Sequence, residues 1–88
     1  MVIRKNHVQP LSGPEKAFGQ ALRSMREKKN VSQEEISLEA DCDRTTVSLI
    51  ERGLVSPKLS TIVKMCHVLK IKPSEVMKQM EKSPHFRA

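Results

Sequence analysis

Apolar residues in this chain recur at intervals of three and four, the period of amphipathic helices. Phe18, Leu22 and Met25 mark a first helix. It is predicted to begin after Ser12, because Ser12-Gly-Pro-Glu15 has the form of a capping box with proline in the first turn. Asn30 follows Lys28 and Lys29 as a left-handed stop. A second helix is announced by Ser32 with Glu35 three residues on, and buries Ile36 and Ala40. The pattern breaks at Asp41-Cys42. Asp43 then offers another N-cap, Val47 and Ile50 continue a third stripe, and Gly53 ends it.

After a loop at Leu54-Val55-Ser56-Pro57, a fourth helix shows Leu59, Ile62, Cys66 and Leu69 on one face, widened by Val63 and Met65. Ile71-Lys72-Pro73 punctuates, and a fifth runs from about Pro73 to Glu81 with Val76, Met77 and Met80 on one side. Residues 1–11 lack periodicity and read as a basic arm, and residues 83–88 read as a frayed tail. The prediction is one all-α domain over residues 12–82 with five helices.

Two short helices joined by a turn of three or four residues describe a helix-turn-helix, here over residues 32–53. In that motif the N-terminal residues of the second helix meet base edges in the major groove. Those residues are Arg44, Thr45, Thr46 and Ser48, all polar and none needed for a core. Arg44 is the strongest reader, because a guanidinium grips guanine O6 and N7 with two hydrogen bonds, about 1–3 kcal/mol of discrimination. Gln33 opens the preceding helix, where amide groups meet a phosphate. Arg52, Lys58 and Arg23 are the other phosphate candidates, and Arg4 and Lys5 could enter an adjacent minor groove.

Charge complicates the picture. The 88 residues carry a net charge of +6, which favours polyanionic partners. Yet residues 31–57 hold two basic and six acidic groups, whereas residues 1–30 and 58–88 each hold seven basic and two acidic. The reading unit is locally acidic, so its carboxylates must face away from DNA. Only Phe18 and Phe86 are aromatic, which argues against single-strand binding by base stacking. No segment reads as a signal peptide or a membrane span, so a cytoplasmic protein with reduced Cys42 and Cys66 is expected. His7, His67, His85 and the two cysteines show no ligand spacing; no metal, cofactor or enzymatic activity is expected. A redox role for Cys42, in the turn, is conceivable.

The pieces LRSMRE at 22–27, SQEEIS at 32–37, TVSLIERG at 46–53 and SPKLSTIVKMCHVLKIKPSEV at 56–76 resemble the Cro/C1-type (XRE) helix-turn-helix family. The resemblance implies a lambda-repressor-like fold and a sequence-specific transcriptional regulator of double-stranded DNA. It also implies that Arg26 pairs with Glu51, tying the first helix to the third, and that Gln33 binds the backbone and supports the reading residues. Some relatives touch RNA polymerase through the second helix, which makes Glu34 a candidate contact. Asp41 stands where the family usually has glycine, and Lys58 and Lys72 where an N-cap Ser or Asp is expected. Within the family, Asp-Arg-Thr followed by Val-Ser at 43–48 resembles the controller proteins of restriction–modification systems. Antitoxins, phage Cro-like repressors and a protein-interaction module that does not read DNA remain alternatives.

The expected assembly is a homodimer on a near-palindromic operator, with third helices about 34 Å apart in successive major grooves. Its surface is expected on the fifth helix and its surroundings, at Ile71, Val76, Met77, Met80 and Phe86.

Overall fold

The Ser32 hydroxyl accepts from the Glu35 N–H at 3.0 Å, and the Ser32 N–H donates to the Glu35 carboxylate at 2.9 Å. This reciprocal box pairs two amides that a helix start otherwise leaves open. It begins α2 (Gln33–Glu39), the second of five helices in the computed structural model, which describes residues 13–86. The others are α1 (Pro14–Lys28), α3 (Arg44–Glu51), α4 (Leu59–Leu69) and α5 (Pro73–Glu81). The described residues contain no strand, so the fold is all-α.

Of the other four helix starts only that of α1 moves from its expected position, and none has a capping bond from its N-cap side chain. Ser12, Arg4 and Lys5 lie outside the described residues. The α1 N-cap position is Gly13, at φ 71° with no side-chain bond, and not Ser12. Asp43 occupies the α3 N-cap position but its carboxylate makes no capping bond. Lys58 and Lys72 hold N-cap positions without the side-chain oxygen such a cap requires. At Lys72 the N–H instead donates to the Glu75 carboxylate at 2.9 Å.

Four of the five helix ends follow one rule. Asn30, Asp41, Gly53 and Lys70 all take positive φ, between 56° and 74°. After α3, the Gly53 N–H donates to the Ile50 carbonyl at 3.0 Å and the Leu54 N–H to the Leu49 carbonyl at 2.9 Å. The same double bond closes α2, where Asp41 replaces the usual glycine: Cys42 N–H reaches the Ser37 carbonyl at 2.9 Å. These Schellman closures satisfy last-turn carbonyls, and Asp tolerates the left-handed turn better than most residues.

The core gathers Phe18 and Leu22 from α1, Ile36 and Ala40 from α2, Val47 and Ile50 from α3, Met65, Cys66 and Leu69 from α4, and Val76 from α5. Each large aliphatic side chain so buried contributes roughly 1.5–3 kcal/mol. The most extensive packing is α1 on α5, with α3 set against both α1 and α2. Three expectations fail here. Leu59 and Val63 are 74% and 49% exposed, because α4 turns inward the face that carries Ile62, Met65, Cys66, Val68 and Leu69. Val76 is fully buried inside the protomer and has no surface to offer a second copy. Residues 83–86 are not a frayed tail: the Phe86 N–H donates to the Ser83 carbonyl at 3.1 Å, and Ser83, His85 and Phe86 are half-buried.

No helix among the described residues is long and apolar enough to cross a membrane.

Candidate nucleic-acid interface

Besides the shared core, one buried ion pair ties the α2–turn–α3 unit to α1. Arg26 Nε donates to Glu51 Oε2 at 2.6 Å and Arg26 Nη2 to Glu51 Oε1 at 2.9 Å, a two-pronged contact between α1 and the last turn of α3. Arg26 Nη1 also donates to the Val31 carbonyl at 2.8 Å. Both residues are buried, at 7% and 5% exposure. The Glu51 hydrogen bond holds the Arg26 guanidinium above its ordinary pKa, against the opposing effect of burial.

This pair faces inward while the neighbouring polar groups face out. Gln33, Arg44, Thr45, Ser48 and Arg52 line one shallow concavity across α2 and α3. Arg44, Thr45 and Arg52 are exposed, and Gln33 and Ser48 are half-buried. Among the described residues no carboxylate pairs with Arg44 or Arg52. Thr46 lies apart, in an adjoining hollow with Lys58, Asp41 and Cys42. Arg23 is not part of this surface: its Nε donates to Glu27 at 3.2 Å, an exposed pair one turn apart on α1. Sequence reasoning thus grouped four base-reading candidates that the structure divides three and one.

The local acidity resolves in the same geometry. Glu51 is buried against Arg26, and Glu35 is bound to its own helix start. Glu34, Glu39, Asp41 and Asp43 are exposed but none lines the concavity, which holds two arginines and no acid. The segment is acidic as a sequence, and this face of it is basic.

Two features escaped the sequence reading. Gln33 Nε2 donates to Glu51 Oε1 at 3.0 Å, so the interface glutamine is tied to the core pair. Gly19, within α1, faces the end of α3: a Cβ there would lie 2.3 Å from the Ile50 carbonyl oxygen and 2.7 Å from that of Glu51. A mid-helix glycine, unfavourable by roughly 0.5–1 kcal/mol relative to alanine, was the available signal.

Among the described residues no group of three or more His, Cys, Asp or Glu could hold a metal ion. Burial, then the charges of Asp43 and Asp41, pushes the Cys42 thiol up, which lowers its thiolate fraction and hence its reactivity. Cys66 is buried and likewise pushed up.

A helix-turn-helix family model, HTH_3, matches residues 22–76, from the middle of α1 into α5. The chain belongs to the Cro/C1-type helix-turn-helix family. Family members are DNA-binding regulators and not enzymes. The chain is 39% identical over 61 residues to control protein C.BamHI of Bacillus amyloliquefaciens, covering 68% of this chain and 75% of that protein. It superposes on the restriction-modification controller protein C.AhdI of Aeromonas hydrophila with a TM-score of 0.67 at 38% identity, covering 69% and 92% of the two chains. It is also similar to SinR, a master regulator for biofilm formation whose structure is in complex with DNA. There the TM-score is 0.64 at 26% identity, over 68% of this chain and 97% of SinR.

Proposed function

We propose that this helix-turn-helix protein is a sequence-specific regulator that reads a near-palindromic DNA operator as a homodimer. The observation that carries the reading is the acid-free concavity of Gln33, Arg44, Thr45, Ser48 and Arg52 at the start and outer edge of α3. Arg44 and Thr45 in the first turn of α3, with Ser48 one turn on, meet base edges; Gln33 and Arg52 meet phosphates. Thr46 and Lys58 contact the backbone at the edge of the same groove. Similarity to C.BamHI and C.AhdI supports the narrower proposal that the chain controls a restriction–modification system. Selection from randomised duplexes tests the first reading: a two-fold-symmetric site is expected, and binding without sequence preference would contradict it. Methyltransferase and endonuclease genes beside this gene test the second; a toxin or phage genes there would replace it.

The phosphate assignment is separately measurable. Arg52→Ala is expected to weaken binding uniformly across duplex sequences and to reduce the salt slope by about 1. A slope unchanged from wild type would remove Arg52 from the phosphate contacts.

The dimer surface must be redrawn because Val76 is spent in the core. Ile71, Met77, Met80 and Phe86 are half-buried, whereas among the described residues Leu59 and Val63 on α4 are the large apolar side chains left most exposed outside α2. The homodimer proposed here covers Leu59 and Val63. Replacing both by serine is expected to raise the dimer dissociation constant at least tenfold by sedimentation, about 1.4 kcal/mol, with helical content unchanged. Sedimentation like wild type would return the interface to the exposed parts of Ile71, Met77, Met80 and Phe86.

A further inference from the structure

The Gln33–Glu51 hydrogen bond joins a side chain of the outward-facing concavity directly to the buried Arg26 pair. A carboxylate only accepts hydrogen bonds, so the group of Gln33 that faces Glu51 must be its NH2 and not its carbonyl. The side-chain amide orientation, usually an assignment between two indistinguishable ends, is here dictated by chemistry. Glu51 Oε1 cannot drift, because Arg26 Nη2 holds the same oxygen at 2.9 Å and Arg26 Nε holds its neighbour at 2.6 Å. Arg26 is in turn anchored to the Val31 carbonyl, immediately before the α2 cap. The chain of bonds therefore runs from α1 through the end of α3 to the first residue of α2.

We propose that Glu51 is a positioning residue for operator binding, acting through Gln33. With one Nε2 hydrogen committed to Glu51, Gln33 has a single N–H and its carbonyl oxygen left for an outside partner. Both belong to the concavity shared with Arg44, Thr45, Ser48 and Arg52. Without Glu51 the amide rotates freely about its last torsion and must be ordered when DNA arrives. Preorganisation of this kind strengthens binding by removing that ordering cost. The ion pair thus serves folding through Arg26 and recognition through Gln33, by different edges of one carboxylate.

The inference rests on the operator reading above, and the test separates the two. Because Glu51 variants alone strand Arg26, the test uses the paired replacement Arg26→Met with Glu51→Leu, which removes both charges. Affinity for the duplex selected by wild type is measured for wild type, Gln33→Ala, the paired variant, and the triple variant. All four are first checked for cooperative unfolding and native helical content. In the wild-type background Gln33→Ala is expected to weaken binding about three- to tenfold, the range of one hydrogen bond. In the paired background the same change is expected to cost less than about twofold, because the unmoored amide has already lost most of its value. Equal losses in the two backgrounds would overturn the positioning role.

A second readout needs no variant. In the free protein, 15N relaxation of the Gln33 side-chain amide is expected to show restriction close to that of the backbone, in contrast to the exposed Gln20, whose oxygen accepts only a long 3.5 Å bond from the Ser83 hydroxyl. A Gln33 amide as mobile as that of Gln20 would also overturn the inference. If wild type selects no duplex at all, the operator reading falls, and this role falls with it.

Discussion

Gly19→Ala is expected to destabilise the protein by about 3 kcal/mol, and to do so by prising α3 from α1. The added Cβ would sit 2.3 Å from the Ile50 carbonyl oxygen, 2.7 Å from the Glu51 carbonyl oxygen and 2.9 Å from the Glu51 carbonyl carbon. All three are backbone atoms, so no side chain can rotate away; the helices themselves must part. Alanine would favour α1 intrinsically by roughly 0.5–1 kcal/mol, which offsets only a fraction of the clash. Parting α1 from α3 also stretches the Arg26–Glu51 contact that crosses the same junction. Thermal unfolding is the measurement. At 4–8 °C per kcal/mol for a domain of this size, the midpoint should fall by about 12–24 °C. A midpoint within a few degrees of wild type would mean that α1 and α3 do not approach this closely.

The second large effect is expected at Glu51. Removing one partner of a buried pair strands the other charge, and the cost is about 3–5 kcal/mol. Glu51→Leu leaves the guanidinium of Arg26, a residue 7% exposed in the wild-type fold, with only the Val31 carbonyl as a partner. The complementary Arg26→Met leaves the Glu51 carboxylate with Gln33 alone, and should be comparably severe. Replacing both by apolar residues of similar size removes the uncompensated charge, so the double variant is expected to regain most of the lost stability. Denaturant melts of the four proteins check this. Additive losses in the double variant would show that the two residues act separately.

The same pair shows how far the amino-acid sequence could be read. Helix positions were legible because capping and stop residues carry their own chemistry: Ser32 with Glu35, Asn30, and Gly53, which needs φ 74° and approaches Lys16 so closely that a Cβ would meet its Cα at 2.9 Å. The placement of Arg44, Thr45, Thr46 and Ser48 at the start of the third helix was legible, but not that Thr46 lies outside the concavity holding the other three. Periodicity cannot say which other helix a face meets. That is why Val76, read as a dimer contact, turns out to fill the core, and why Leu59, read as core, is exposed. Nor can spacing show side-chain bonds between residues 18 apart in the chain, such as Gln33 to Glu51. Arg23 pairs with Glu27 four residues on, a spacing the sequence does display and that competes with a phosphate contact. Gly19 appeared only as a weak residue for a helix, since the backbone it touches belongs to a different element.

The charge reading changed for a related reason. Six acids and two bases over residues 31–57 gave an acidic reading unit. Folding removes Glu51 to the interior and binds Glu35 to its own cap. It leaves the other acids outside the concavity that holds Arg44 and Arg52. A sum over sequence erases this directionality, and direction decides whether a helix-turn-helix can approach phosphates.

In the proposed function the exposed start of α3 reads bases, with Arg44 as its principal contact. The most direct test compares wild type and Arg44→Ala on the selected operator and on every single base-pair substitution of it. Loss of Arg44 is expected to cost about 1–3 kcal/mol on the intact site and to abolish discrimination at one guanine in each half-site, leaving the other positions as selective as before. An Arg44→Ala protein that is weakened equally on all duplexes, with its base preferences intact, would contradict the claim and reduce Arg44 to a phosphate contact.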